Sequence, residues 1–389
     1  HRGESCPLHS KFVVSRPTGC DVAYIHKQEE ERKSTMKISR RQFVQVLAVA
    51  GASALLTACG GSSNNSAAGS TAASGAAAAA GGSFNLKLGH NLAEDHAVHI
   101  QLTSFAEQVK EKTSGSINIQ IIPNGTLGSE ADMISQIQAG ALDMAKVSAS
   151  TLGNFSEKYN AFSVPYVFDD QAHYYTYMDS DSAQAVFEST DDQGFRGLTW
   201  LDSGARSFYT KATAIRTPAD LKGLKIRVQD MKSQTDMMNY LGGIPVAMSY
   251  GDVYTSLQTG IIDGTENNET ALTTGKHGEV CKVYSVDQHA MIPDVLIMSE
   301  KVWETISPED QEIILEAAHD STDAHKVMWD TAVEEAVKEA QETMGVEFVY
   351  DVDKEAFREA TQPMIEAYEE QYPGVKTLLD TIDAARGEE

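Results

Sequence analysis

The sequence predicts an α/β protein whose first strands form a mostly parallel sheet. Three observations carry this reading: a strand–helix–strand–helix–strand alternation over residues 84–147, a second series beginning near Phe195, and one long uninterrupted helix in the C-terminal third.

In the first series, the alternating segment 84–89 reads as a strand. Residues 96–113 carry Val98, Leu102, Phe105, Ala106 and Val109 at helical spacing and stop at Gly115, a suitable C-cap. Strand 117–121, helix 130–139 ended by Gly140, and strand 142–147 complete the unit. In the second series, 195–201, 206–211 and 224–228 read as strands, 231–241 and 252–259 as helices, and 283–299 as strand broken by Pro293. Residues 308–344 then contain no proline after the first position and are rich in Ala, Glu and Lys. Ser307-Pro308-Glu309-Asp310 is a strong helix start: a serine N-cap, proline at the first position, and acids at the positive end of the dipole. A helix of that length would span roughly 54 Å. Its apolar positions (Ile313, Leu315, Ala318, Val327, Met328, Ala332, Ala336, Ala340 and Met344) lack the sustained heptads of a coiled coil. A brace between two lobes is the expectation. Asp351-Val352-Asp353 lacks the glycine and spaced acids of a calcium loop and reads as an N-cap.

The region before residue 83 has a different character. Residues 1–35 show mixed charge and no periodicity, and read as a non-native or misannotated leader. From Met36, a basic stretch with Arg40-Arg41 precedes the uncharged apolar run 43–56, which is short for a membrane span. It ends in Leu56-Thr57-Ala58-Cys59-Gly60. Residues 36–59 therefore read as a secretory signal of twin-arginine type, with Cys59 the lipidated first residue after cleavage. An uncleaved anchor helix is the alternative, and either places the remainder outside the cytoplasm. Residues 60–82 are almost wholly Gly, Ser, Ala, Thr and Asn, a flexible tether reaching roughly 25–30 Å.

The 389-residue chain is 41% hydrophobic and 22% charged, with a formal net charge of -25. That charge argues against nucleic acid and anionic membrane surfaces as partners, but not against an anionic ligand held by local basic residues. The cysteines Cys6, Cys20, Cys59 and Cys281 match no metal or redox spacing. There is no phosphate-binding glycine loop, H-E-x-x-H or G-x-S-x-G, so nothing points to an enzyme, and no cofactor is expected. His90, His96 and His99 cluster closely enough to raise zinc as an alternative. The plainer reading is an exposed helix start beside a strand end.

Two long motifs, Thr-Pro-Ala-Asp-Leu-Lys-Gly-Leu-Lys-Ile-Arg-Val over 217–228 and Asp-Val-Tyr-Thr-Ser-Leu-Gln-Thr-Gly-Ile-Ile-Asp-Gly-Thr-Glu-Asn over 252–267, are similar to the DctP family of TRAP solute-binding proteins. Leu127-Gly128, residues 138–144 and residues 164–168 fit the same family in the same order. The resemblance implies a two-lobed receptor of periplasmic-binding-protein type, with hinge strands and one long helix spanning both lobes. Each lobe would be discontinuous: 83–204 with 293–332, and 205–292 with 333–389. It also implies capture of a small organic acid for a sodium-coupled membrane permease. The receptor would be tethered by its lipid and taken as a monomer. The binding protein of an ATP-driven importer is the nearest alternative.

The resemblance implies a site as well. Arg227 shares a strand face with Lys225, opposite Leu224, Ile226 and Val228, which alone fits a solvated sheet face. The family position holds the ligand carboxylate, to which a planar guanidinium donates two parallel hydrogen bonds. Arg206, otherwise a cation–π or surface residue beside Phe208, would be a second carboxylate-binding arginine. Asn267, otherwise a helix cap, would be a hydrogen-bond partner. Asn91 and Glu130 would face ligand hydroxyls, and Ser148, Tyr250 and Asp230 would line the pocket. Sialic-acid-binding members carry an acid in place of Ser148, Phe in place of Tyr250 and Asn in place of Asp230, which weighs against that ligand. A hydroxy acid, dicarboxylate or uronate stays open.

Overall fold

The computed structural model describes residues 83–386. The leader, signal, Cys59 and tether readings lie outside them. Eleven strands follow in chain order: β1 Phe84–Gly89, β2 Ile117–Ile122, β3 Met144–Ser148, β4 Phe195–Leu201, β5 Ala205–Thr210, β6 Lys225–Val228, β7 Ile244–Ala247, β8 Gly264–Asn267, β9 Val283–Met291, β10 Asp294–Ser299 and β11 Glu347–Val349. They form two sheets, ordered β2-β1-β3-β10-β4 and β11-β9-β5-β8-β6-β7.

Both sheets are mixed rather than mostly parallel. β1 runs parallel to β2 and β3, whereas β10 is antiparallel to β3 and β4. In the second sheet β6 is parallel to β7 and β8, and β5 is antiparallel to β8 and β9. The antiparallel pairs arise because the chain passes between sheets twice through very short connections, β4 to β5 and β9 to β10. Strands 195–201, read above as opening a second series, therefore finish the first sheet. These crossings are the hinge strands of a two-lobed fold.

The long helix Pro308–Glu342 has 35 residues, about 52 Å. Ser307 caps it by accepting from the Asp310 N–H. Ile314, Ala317 and Ala318 join the core built on Leu88, Val98, Phe105 and Ile117. Ala340 joins a separate core with Tyr209, Leu257 and Tyr284. One rod thus contributes to the cores of both halves. Its buried face differs from the expected one: Val327 is 75% exposed, while Ser321, Thr322, His325 and Trp329 are buried. Ser321 donates to the Ala317 carbonyl of its own helix, while Thr322 and His325 face carbonyls at the end of β4. Thr322 Oγ1 donates to the Trp200 carbonyl at 2.6 Å, and His325 Nε2 lies 2.8 Å from that of Asp202.

The segment 149–190 folds into short helices around buried Tyr159, Phe162, Phe168, Tyr174 and Tyr177. The helix Lys354–Gln371 packs on β9 and the helix Lys232–Tyr240 of the second half. The last helix, Pro373–Ala384, was grouped with that half by the boundaries above, yet it rests on the Glu157–Ser163 turn of the first. There His173 Nε2 meets the Ile382 carbonyl at 2.8 Å. Cys281 is wholly buried, and burial pushes its thiol up to about 12. Among the described residues no helix is long and apolar enough to cross a membrane.

Candidate functional site

Strand ends from both sheets converge on a cavity of about 410 Å³. From the first half come Asn91 beyond β1, Ser148 at the end of β3, Asp294 at the start of β10, and Glu130 in the first turn of the helix Glu130–Ala139. From the second come Arg206 of β5, Arg227 of β6 with Gln229 and Asp230 after it, Tyr250, and Asn267 at the end of β8. All eight positions singled out in the sequence line this one cavity. The helix carrying Glu130 is closed at its other end by Gly140 at φ 75, a left-handed cap that suits glycine.

The two arginines have different circumstances. Arg206 is already paired: Nε donates to Glu266 Oε2 at 2.5 Å, and Nη2 donates to Oε1 and to the Glu266 carbonyl, both at 2.9 Å. Nη1 donates to Asn267 Oδ1 at 2.9 Å, leaving one N–H of that nitrogen unused. Behind this pair, His289 lies 3.4 Å from Glu266 and 2.6 Å from Asp287. Burial opposes ionisation of Glu266, yet Arg206 and His289 outweigh it and bring its pKa to about 2. Burial likewise opposes the His289 cation, but Asp287 and Glu266 raise it to about 9. Phe208 stacks on His289, so the cation–π alternative for Arg206 is not realised.

Arg227 is equally buried, at 3% exposure, but both Nε and Nη2 donate to one carbonyl, Met248 O, at 3.1 and 2.9 Å. No carboxylate among the described residues lies within ion-pair distance of it. Burial accordingly pushes its pKa down. Both hydrogens of Nη1 and one of Nη2 stay available.

The first-half wall is organised around Lys146, 2% exposed. Its ammonium donates to Asp294 Oδ2 at 3.0 Å, Asn91 Oδ1 at 3.3 Å and Glu130 Oε1 at 3.5 Å. Glu130 Oε2 accepts from the Ser148 N–H at 3.1 Å and the Thr151 hydroxyl at 2.7 Å. Burial pushes the Asp294 carboxyl up, while the adjoining ammonium favours its ionised form. Side chains of the two halves also meet: Gln229 Nε2 donates to Ser148 Oγ at 3.0 Å, and His96 Nε2 lies 3.1 Å from Thr270 Oγ1. The Gln229 amide oxygen beside this contact is buried with no hydrogen-bond partner among the described residues. Tyr250 sits with its ring against His277, and Asp230 is exposed at the rim.

Of the histidine cluster, His90 and His96 are buried and His99 is half-buried. His90 Nε2 and His99 Nδ1 lie 2.9 Å apart, and His96 Nδ1 caps its helix by accepting from the Val98 N–H. Among the described residues no group of three or more His, Cys, Asp or Glu is placed to hold a metal ion. Asn267, weighed above as a cap of the following helix, instead accepts from the Asn268 N–H through Oδ1, and the Thr270–Thr273 helix has Glu269 at its N-cap with no side-chain cap bond.

Residues 88–371 match the family described as bacterial extracellular solute-binding protein, family 7, or DctP. The chain belongs to this family. It is 42% identical over 283 residues to the uncharacterized protein YiiZ of Salmonella typhimurium, covering 72% of this chain and 86% of that one. A TRAP periplasmic solute-binding protein from Anaerococcus prevotii, solved with bound α/β-D-glucuronate, is 39% identical, with a TM-score of 0.75 over 77% of this chain and 97% of that one. Another from Xanthobacter autotrophicus, with bound β-D-galacturonate, is 33% identical, with a TM-score of 0.75 over 77% and 100%.

In this family 7 receptor, sequence reasoning passed over Lys146, Asp294, Gln229 and Glu266. Lys146 and Asp294 each carry a charge inside an apolar strand context, Met-Ala-Lys-Val and Asp-Val-Leu-Ile, and a charge in such a setting is the signal that could have marked them.

Proposed function

We propose that this receptor captures a small hydroxylated carboxylate, with the hexuronates the leading class, and passes it to the membrane permease of a TRAP transporter. The observation that carries the reading is Arg227: a buried guanidinium with no carboxylate in ion-pair distance among the described residues, opening into a polar cavity between two hinged halves. Burying an unpaired cation is unfavourable, and a ligand carboxylate is the group that would relieve it. The bound glucuronate and galacturonate of the two solved relatives support the same class.

The carboxylate binds the free edge of Arg227 and takes the one unused N–H of Arg206. Asn267, Tyr250 and Asp230 line that side. Ring hydroxyls donate to Glu130 and Asn91 and to the open Gln229 oxygen, beside Ser148. Ligand contacts to both halves hold them together, and exclusion of water strengthens the ion pair. The receptor works outside the cytoplasm as a monomer, tethered through a lipid on Cys59 after removal of a signal. Binding to an ATP-driven importer has no support in the family match.

A thermal-shift screen of hexuronates, other organic acids and neutral hexoses tests this, followed by titration calorimetry. Ligand at a hundredfold excess over its Kd should stabilise the fold by about 2.7 kcal/mol. A neutral hexose binding as well as its uronate would discard the reading.

A further inference from the structure

Three cations line the cavity: Lys146, Arg206 and Arg227. Two are already matched. Arg206 has Glu266 at 2.5 Å, and Lys146 has both Asp294 at 3.0 Å and Glu130 at 3.5 Å. The first-half wall therefore holds two carboxylates against one ammonium, and Asp132, Asp230 and Asp252 add acids to the lining without adding a cation. Arg227 alone is left to be neutralised.

We infer that the site is built for one negative charge, with Asp294 and Glu130 acting as a charge filter that accepts hydroxyls and rejects a second carboxylate. The inference rests on the carboxylate reading above and narrows it: the substrate class is polyhydroxy monocarboxylates, and dicarboxylates of the same size are excluded. The physical reason is proximity. An acid seated on Arg227 and long enough to cross the cavity places its far end against the Lys146 group. A hydroxyl there donates to Glu130 or Asp294, both of which have lone pairs beyond those facing Lys146. A carboxylate there has no hydrogen to donate and meets like charge where little water screens it. Asp294 is the more deeply buried of the two, at 5% exposure, so water screens its charge least.

The test compares each hexuronate with the hexarate of the same carbon skeleton: D-glucuronate with D-glucarate, and D-galacturonate with galactarate. Calorimetry on the full chain is run for wild type, Asp294→Asn and Glu130→Gln. The hexarate is open-chain, so its shape also matters, but shape is common to wild type and variants; a change in the ratio of the two affinities reads the charge. Wild type should prefer the hexuronate by about 30-fold or more. Asp294→Asn should narrow that ratio at least fivefold, and Glu130→Gln should narrow it in the same direction. Should Asp294→Asn fail to fold, Glu130→Gln carries the test. A wild-type protein that binds both acids equally, or folded variants with an unchanged ratio, would overturn the filter while leaving the carboxylate reading in place. A wild-type protein that binds neither the hexuronates nor the hexarates overturns both.

Discussion

Replacing Arg227 and Arg206 in turn by methionine should give opposite results, although both are buried arginines on the same cavity. Arg227 offers a ligand carboxylate two charge-assisted hydrogen bonds, at about 1.5–3 kcal/mol each. Losing both amounts to about 3–6 kcal/mol, or roughly two to four orders of magnitude in Kd. The ligand-free protein should hardly respond. Removing a cation that lacks a counter-ion relieves its desolvation, while the Met248 carbonyl loses the donors now at 3.1 and 2.9 Å. The two terms oppose each other. Arg206→Met is different, because it strands Glu266, which is 0% exposed. Removing one partner of a buried pair costs about 3–5 kcal/mol, which for a domain of this size lowers Tm by roughly 10 °C. The assay is a melting curve and a calorimetric titration with a hexuronate for each variant. An Arg227→Met protein that melts as low as Arg206→Met, or that binds within tenfold of wild type, would refute the distinction drawn between the two arginines.

Stability should fall as pH drops below neutral. Burial holds His90, His96 and His277 at about 3 and His325 at about 4, all below the unfolded value of 6.5. The unfolded chain therefore takes up protons that the folded one refuses, so this stability is complete above 6.5 and is lost on acidification, by about 2 kcal/mol per group at pH 5. His289, raised to about 9, is charged in both states below 6.5 and does not offset the loss. Denaturant titrations at pH 7 and 5 check this; equal midpoints would contradict it. Gly275→Ala should weaken binding and lower Tm, because a methyl there would press on Tyr250 Oη and lie 2.6 Å from the Ala271 carbonyl. Such overpacking costs about 1–3 kcal/mol, and calorimetry beside a melting curve reads both effects. Trp329→Ala should destabilise by about 3–5 kcal/mol, since this ring is 1% exposed on the long helix beside the hinge glycine Gly204. Chemical denaturation measures that loss.

What the sequence made legible followed from local rules. Alternation located β1, Ser307 with Pro308 marked the start of the long helix, and Gly140 and Asp353 marked an end and a start. The aromatic-rich turns between 149 and 190 were missed because they are short and buried on several sides, which erases any period. The eight cavity positions came from the resemblance to a family, only Arg227 and Asn267 lying within its quoted motifs, and strand alternation alone would have left Arg227 on a solvated face. Compensation was hidden altogether. Glu266 stands 60 positions from the arginine it neutralises, and Asp294 stands 148 from its lysine. Nothing local distinguishes a matched charge from an open one. The buried face of the long helix was misjudged for a related reason: Val327 was counted among its apolar positions, and the burial of Thr322 and His325 makes sense only once the Trp200 and Asp202 carbonyls are placed against them.

The enclosed thiol of Cys281 has a practical consequence. With a pKa raised to about 12 and no exposed surface, it stays protonated and unreactive toward maleimides at neutral pH. Once Cys6, Cys20 and Cys59 are changed to serine, reporter dyes attached at cysteines introduced for Ile100 and Ile261, exposed positions on opposite halves, would have no competing attachment point. The opening and shutting of single molecules could then be followed by energy transfer with the native interior left untouched.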